Sequence, residues 1–199
     1  MNPGATADRV YEAIKHRLLS GAVPPGARLD PARFADDLNS SKTPVRDALH
    51  RLSGERLVDA RPGAGFQVPL VTEPGLRDLY YWHAALLRML VGAWPNMAGA
   101  DRTDLPVDIA RAPGLLFGIV ARRAGNDEFT RQLEATTDRL ATARVAEARV
   151  LTGLEAEARG LAETLDQGSR AAILQAFAAY HRRRLRAATD LVRSMYHPA

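Results

Sequence analysis

The sequence predicts a mainly α protein in two parts: three short helices closed by a two-stranded hairpin, then a bundle of about six helices. Three observations carry this. Apolar residues recur at helical spacing through most of the chain. One short segment, residues 57–68, switches to strand-like alternation around a glycine-rich tip. The 199 residues, 46% of them apolar, suffice for a small domain followed by a medium one.

Residues 1–7 read as a flexible tail. From Asp8, "DRVYEAIKHRLLSGAV" puts Val10, Ile14, Leu18 and Leu19 on one helical face, with Gly21 as the closing cap. "VPPGARLD" is a turn. "PARFADDLN" is a short second helix with Phe34, Ala35 and Leu38 inward, and Asn39 and Ser40 lead into the third. In that helix Val45, Ala48, Leu49 and Leu52 form the buried face. Then "RLVDARPGAGFQVPL" reads as a hairpin with Phe66 and Val68 in alternation. Three helices and a hairpin over residues 8–69 make the layout of a winged helix-turn-helix. Residues 70–75 read as a linker. Residues 76–199 read as helical throughout, with "NDEFTRQLEATTDRLATARVAEARVL" as one long amphipathic helix.

Bulk properties narrow the function less. The net charge is +4, from 27 Lys and Arg against 23 Asp and Glu. It is not concentrated: residues 1–69 carry ten basic and eight acidic groups, leaving +2. This is a mild hint of an anionic partner. The absence of cysteine excludes a disulfide frame, a thiolate metal site and a thiol nucleophile, and suits a reducing cytoplasm, where the protein is expected. No N-terminal apolar run suggests a signal peptide, and no stretch is long and apolar enough to predict a membrane span. There is no glycine-rich phosphate loop, nucleophile elbow or histidine pair at metal spacing, so no enzyme is expected.

The stretch "SSKTPVRDALHRL" carries the chemistry. Proline is tolerated at the first helical position, and it pushes the preceding residue toward the extended conformation of an N-cap. Thr43 is therefore expected as the cap and Pro44 as the first helical residue, with Arg46 on the first turn. Lys42, Thr43 and Arg46 then cluster beside the free N–H groups and the positive end of the helix dipole. That end suits phosphates and base edges. The alternative is that Arg46 pairs with Asp47 or Glu55 on a solvated face.

The segment "FADDLNSSKTPVRDALHRLSGERLVDARPGAGFQV", with "VYEAIKHRLLSGAVPPGARLD" before it, closely resembles the DNA-binding domain of GntR-family bacterial transcription regulators. The resemblance covers residues 8–69 without gaps. It implies that Ser41, Lys42, Thr43 and Arg46 meet bases and phosphates. It also implies that the wing turn from Gly63 to Gly65 approaches the minor groove, with Arg28 and Arg33 as weaker candidates for backbone contacts. One departure is Arg56, where the family usually has glycine.

The helical half is similar to the FCD class of that family, typified by FadR-like regulators, through "LLFGIVARRAGNDEF" and "AAILQAFAAYHRRRLRAATDLV". Many FCD domains bind a metal with one aspartate and three histidines. This chain has Pro113, Phe117, Arg170 and Val192 at those places, so no metal and no cofactor is expected. Two options follow for the domain: a pocket rebuilt for a metal-free carboxylate or acyl-type effector, or an interior filled by side chains. Phe117 and Val192 favour an apolar interior. An inward Arg170 would pair a ligand carboxylate, whereas at a helix N-terminus it would face water. Tyr80, His83 and Leu87 share a stripe that serves either as core or as pocket lining. "HRRRLR", residues 181–186, reads as a solvated face. The whole is expected to be a homodimeric regulator, a repressor on a palindromic double-stranded DNA operator, with a small-molecule effector. The alternative is a ligand-free co-regulator whose helical domain dimerises and binds partner proteins.

Overall fold

The computed structural model describes residues 3–61, 63, 65–94 and 113–197. The chain divides into two compact units. One runs to Val71 and takes in the end of the last helix from Met195; the other spans Thr72–Ser194.

The first unit comprises α1 (Pro3–Leu19), β1 (Arg28–Leu29), α2 (Pro31–Asp37), α3 (Lys42–Gly54), β2 (Asp59–Arg61) and β3 (Gly65–Gln67). α1 begins at Pro3, within the stretch expected as a tail, because a proline in the first turn has no hydrogen bond to lose. Its Val10, Ile14 and Leu18 pack with Val45, Leu49 and Leu52 of α3 in one apolar cluster. Asp30 caps α2, its carboxylate accepting from the Ala32 amide at 2.9 Å, with Pro31 at the first helical position.

The expected hairpin is part of a three-stranded antiparallel sheet of order β1-β3-β2. Ala60 pairs with Phe66 and Arg61 with Gly65, while Arg28 and Leu29 of β1 pair with Gln67 and Phe66. A strand of two residues has no alternation to read. It exists only because β3 offers it an edge.

At the end of α3 the Leu57 amide donates to the Leu52 carbonyl and the Arg56 amide to Ser53, each at 3.0 Å. Arg56 takes φ +60°, the left-handed conformation that explains why the resembled pattern carries glycine there. Arg56→Gly is expected to stabilise this unit by up to about 1 kcal/mol, the strain relieved less glycine's own entropy cost. Slower hydrogen exchange of the α3 amides would register it; unchanged exchange would mean that the neighbouring chain already absorbs the strain.

The second unit is helical: α4 (Glu73–Ala93), α5 (Pro113–Arg123), α6 (Asp127–Arg139), α7 (Ala141–Val150), α8 (Leu154–Gln167), α9 (Arg170–Arg186) and α10 (Ala188–Tyr196). That is seven helices among the described residues, against about six expected. The Thr72 hydroxyl caps α4 by accepting from the Gly75 amide at 3.2 Å, so helix replaces the second half of the expected linker. The long helix expected after Asn126 is interrupted at Leu140, between α6 and α7. Thr136 turns its hydroxyl back onto the Gln132 carbonyl at 2.7 Å, a bond that bends helices. At the next residue the Thr137 carbonyl accepts from the Arg144 guanidinium at 2.7 Å. α9 runs unbroken through Tyr180 and His181, and the chain bends only at Ala187. Leu191 is fully buried, whereas Val192, expected inside, is only half-buried. The core gathers Leu87, Leu90, Phe117, Val120, Ile173 and Phe177 from α4, α5 and α9.

Candidate nucleic-acid interface and buried polar core

α3 is capped by Ser41, one turn's fraction earlier than expected, and Thr43 and Pro44 are its second and third residues. Pro44 costs nothing there because the first four amides of a helix lack internal partners. The Ser41 backbone is extended, but its side chain makes no capping bond. Val45, Ala48, Leu49 and Leu52 anchor the helix, so Ser41, Lys42, Thr43 and Arg46 are all turned to solvent at its N-terminal end.

Their charges are uncommitted. Glu55, the acid that Arg46 was weighed against, is occupied by the Lys15 ammonium at 3.0 Å and the Tyr11 hydroxyl at 2.7 Å. Among the described residues neither Lys42 nor Arg46 is held in an ion pair. A shallow depression beside them is lined by Asn39, Ser40, Ser41, Thr43 and Asp47.

At the wing, Gly63 and Gly65 have φ +75° and +81°, and a Cβ at either would meet no neighbouring atom. Glycine is needed there for conformation and not for space. Pro62 and Ala64 of the expected tip lie outside the described residues. Arg28 is exposed on β1 and Arg33 is exposed on α2. Arg61, which the sequence reading passed over, is exposed on β2 opposite Gly65. Its signal was its place directly before the Pro-Gly tip.

The residues proposed for an effector divide. Tyr80, His83 and Phe117 come together inside the helical unit, and the rings of His83 and Phe117 meet edge-on at 4.6 Å. Arg170 does not join them. It begins α9 and donates to the carbonyls of Gly92 at 3.3 Å and Trp94 at 2.7 Å, closing the C-terminal end of α4.

Around the first three lies a polar core that the sequence reading missed. Arg184, inside the stretch expected as a solvated face, is 1% exposed. Its Nε and Nη2 donate to Glu147 Oε2 at 3.1 and 2.8 Å, and Nη2 also meets Glu157 at 2.8 Å. The Tyr80 hydroxyl donates to the other Glu147 oxygen at 3.0 Å. Burial, and then Glu147, push the Tyr80 phenol well above its usual range. Burial alone would lower the Arg184 pKa, but Tyr180, Glu157 and Glu147 raise it above the ordinary arginine value.

His83 and His181 sit side by side, Nδ1 to Nε2 at 2.9 Å. The protons follow from one fixed point. The Phe177 carbonyl can only accept, so His181 Nδ1, at 2.7 Å, donates to it. Neutral His181 then accepts at Nε2, and His83 donates from Nδ1. That leaves His83 Nε2 to accept from the Thr137 hydroxyl at 3.2 Å. Both rings are neutral in this chain. Burial, with Arg144 and His181 nearby, holds His83 well below the usual histidine range. Burial likewise lowers His181 to about 4. Among the described residues no group of three or more metal-ligating side chains comes together.

Comparison with known proteins agrees with the geometry of the first unit. Residues 6–68 match the family described as bacterial regulatory proteins, gntR family. The chain is 42% identical over 98 residues to the HTH-type transcriptional regulator McbR of Escherichia coli, covering 49% of this chain and 44% of that protein. It is 31% identical over 144 residues to an uncharacterized HTH-type transcriptional regulator of Mycobacterium tuberculosis, covering 71% of this chain and 54% of that one. These matches thus span about half the length of both relatives. The solved structure of E. coli McbR/YncC superposes with a TM-score of 0.72 at 20% identity, over 93% of this chain and 97% of that chain, so the fold is shared across both units. The chain therefore carries, over residues 6–68, a winged helix-turn-helix that matches the gntR family of bacterial regulatory proteins, with helices behind it in the fold of McbR/YncC.

Proposed function

We propose that the chain is a transcription regulator that binds a two-fold DNA operator as a homodimer, and that its helical unit dimerises it and receives a small-molecule effector. The observation that carries this is the N-terminal end of α3, where Ser41, Lys42, Thr43 and Arg46 are exposed together and neither cation has an acidic partner among the described residues. In a helix-turn-helix this end enters the major groove. Arg46 reads a guanine edge there through two parallel N–H groups. Lys42, Ser41 and Thr43 hold phosphates, and Gly63 and Gly65 let the wing backbone approach the minor groove. Arg28, Arg33 and Arg61 add sequence-independent attraction that weakens with salt. A bound effector alters transcription, here by relieving repression, to the extent that it prefers one spacing of the two DNA-binding heads. The chemistry calls for no catalysis, and the cytoplasm is where such a protein meets its operator.

Arg46→Ala is expected to weaken operator binding by about 1–3 kcal/mol and to relax preference at one base pair per half-site. Binding selections on randomised DNA, followed by titration at two salt concentrations, check both parts. Unchanged affinity and preference would remove Arg46 from the readout. Lys42→Ala should weaken all sequences alike and flatten the salt dependence.

A second reading draws on Tyr81, Trp82 and Met89, exposed on α4 at 58%, 46% and 43%. Apolar side chains so placed suit a helical unit that binds a protein partner without sensing a ligand.

A further inference from the structure

One side chain on the exposed face of α3 belongs to neither the first turn nor the wing. His50 is exposed and follows Thr43, Arg46 and Asp47 at helical spacing, opposite the buried stripe of Val45, Ala48, Leu49 and Leu52. Its ring meets the ring of Phe66 edge-on, with centroids 4.9 Å apart. Phe66 is buried in β3, paired with Leu29 on one side and Ala60 on the other. The imidazole is therefore braced where the helix meets the sheet that carries the wing. Among the described residues it has no hydrogen-bond partner and no acid at ion-pair distance. The charged groups near it are otherwise placed. Arg46 and Asp47 lie one turn back on the same helix. Arg51 is laid over the Tyr11 ring at 3.7 Å, and Glu55 is occupied by Lys15 and Tyr11. The sheet bears Arg28 on β1 and Asp59 and Arg61 on β2, with Asp59 accepting from the Gln67 amide at 3.5 Å. A positive charge formed at His50 is thus available to an outside anion.

Distance along the helix decides which part of the DNA this ring meets. When the N-terminal end of a recognition helix enters the major groove, its first residues reach the base edges. At about 1.5 Å per residue, His50 lies about 6 Å beyond Arg46 and about 10 Å beyond Thr43. The groove is about 8.5 Å deep, so the ring stands at the level of its phosphate rim. A phosphate favours the charged imidazole over the neutral one. Histidine is the side chain that makes this change between about pH 5 and 8.

We propose that His50 is a proton-dependent phosphate contact, through which the affinity of the chain for DNA rises as pH falls. This rests on the reading of α3 as the DNA-binding helix and adds a means of regulation to it. The attraction that the charged ring adds is fully present at the acid end of the histidine range and is lost toward the alkaline end. In between, each DNA-binding head takes up a proton as it binds, and each such proton changes affinity by up to about tenfold per pH unit. Phe66 fixes the ring, so the contact also sets the helix and the wing on one stretch of backbone.

The test titrates the full chain with two fluorescent duplexes, one selected from randomised DNA and one a scrambled version of it, at pH 6 and pH 8 and constant ionic strength. From pH 8 to pH 6 the wild-type affinity is expected to rise about tenfold relative to His50→Gln, which keeps a neutral donor, and to do so on both duplexes alike. The ratio to His50→Gln cancels His16, His83 and His181, which both proteins share. His50→Phe keeps a ring against Phe66 and loses the N–H. It should bind more weakly than the wild type at both pH values. At pH 6 the salt dependence of the wild type should be steeper than that of either variant by about one ion per subunit. Arg46→Ala should keep the pH response, since its contact lies at the base edges. A ratio that does not change with pH, full affinity in His50→Phe, or a loss confined to preference at one base pair would each overturn the proposal. Those results leave the α3 interface standing. A wild-type chain that binds neither duplex would overturn the α3 reading and this proposal with it.

Discussion

Glu147→Ala is expected to destabilise the helical unit by about 3–5 kcal/mol, the largest effect of any single substitution considered for this protein. The reason is what the carboxylate leaves behind. Arg184 is 1% exposed and donates two of its hydrogen bonds to Glu147. Without them it keeps Glu157 at 2.8 Å, its bond to the Tyr180 carbonyl and its contact with the Tyr180 ring, 3.3 Å away. The Tyr80 hydroxyl loses its acceptor as well. A domain of this size is stable by only about 5–15 kcal/mol, so the loss is a large fraction of the whole. Urea unfolding followed by tryptophan fluorescence measures it within the helical unit. The double substitution Glu147→Leu, Arg184→Met should recover most of the loss, since an apolar pair of similar volume avoids the desolvation cost. A single variant shifted by under about 1 kcal/mol would mean that Glu157 alone balances Arg184.

The second large effect is acid sensitivity centred on the histidine pair. His181 titrates at about 4 in the folded chain, against 6.5 for an unperturbed histidine, and His83 is lowered as well. A base whose folded pKa is depressed picks up its proton first in the unfolded state. Its contribution is fully present above pH 6.5 and is lost as pH falls through the window down to about 4. For His181 the span amounts to about 3 kcal/mol, and His83 adds in the same direction. The hydrogen-bond chain gives the cause: His181 already donates at Nδ1 and must accept at Nε2, so a proton there forces His83 to reverse its own bonds. Unfolding midpoints at pH 7.5, 6.5, 5.5 and 4.5 should fall progressively. His181→Gln, which supplies an amide oxygen to His83, should reduce the slope by about one proton. A flat profile would show that the rings are not held neutral.

Much of the first unit was legible because its signals are local. The apolar spacing of Val10, Ile14 and Leu18, the buried stripe from Val45 to Leu52 and the glycines at the wing each act within a few residues. The exposed set of Ser41, Lys42, Thr43 and Arg46 followed from that stripe, since a helix that buries one face must turn the other to water. The cap was misplaced by two residues because a proline is equally free of penalty at several positions of a first turn. β1 was missed because two residues carry no period.

The helical half shows where local reading stops. Helical periodicity identified its helices but not the interruption at Leu140, which depends on Thr136 and Arg144 taking backbone carbonyls. Arg170 and Arg184 are both arginines on α9, yet one caps a neighbouring helix and the other lies in the core. The stripe of Ile173, Phe177 and Tyr180 continues to Arg184, a signal that the reading of residues 181–186 as a solvated face passed over, and only the carboxylates of Glu147 and Glu157, brought by other helices, make its burial tolerable. The sequence by itself determined the two-part helical architecture and the charged first turn of α3, because periodicity, capping and turn chemistry act over one or two turns. The tertiary structure alone decided which polar groups lie inside and who satisfies them, because hydrogen-bond and charge partners more than thirty residues apart meet only when the helices pack.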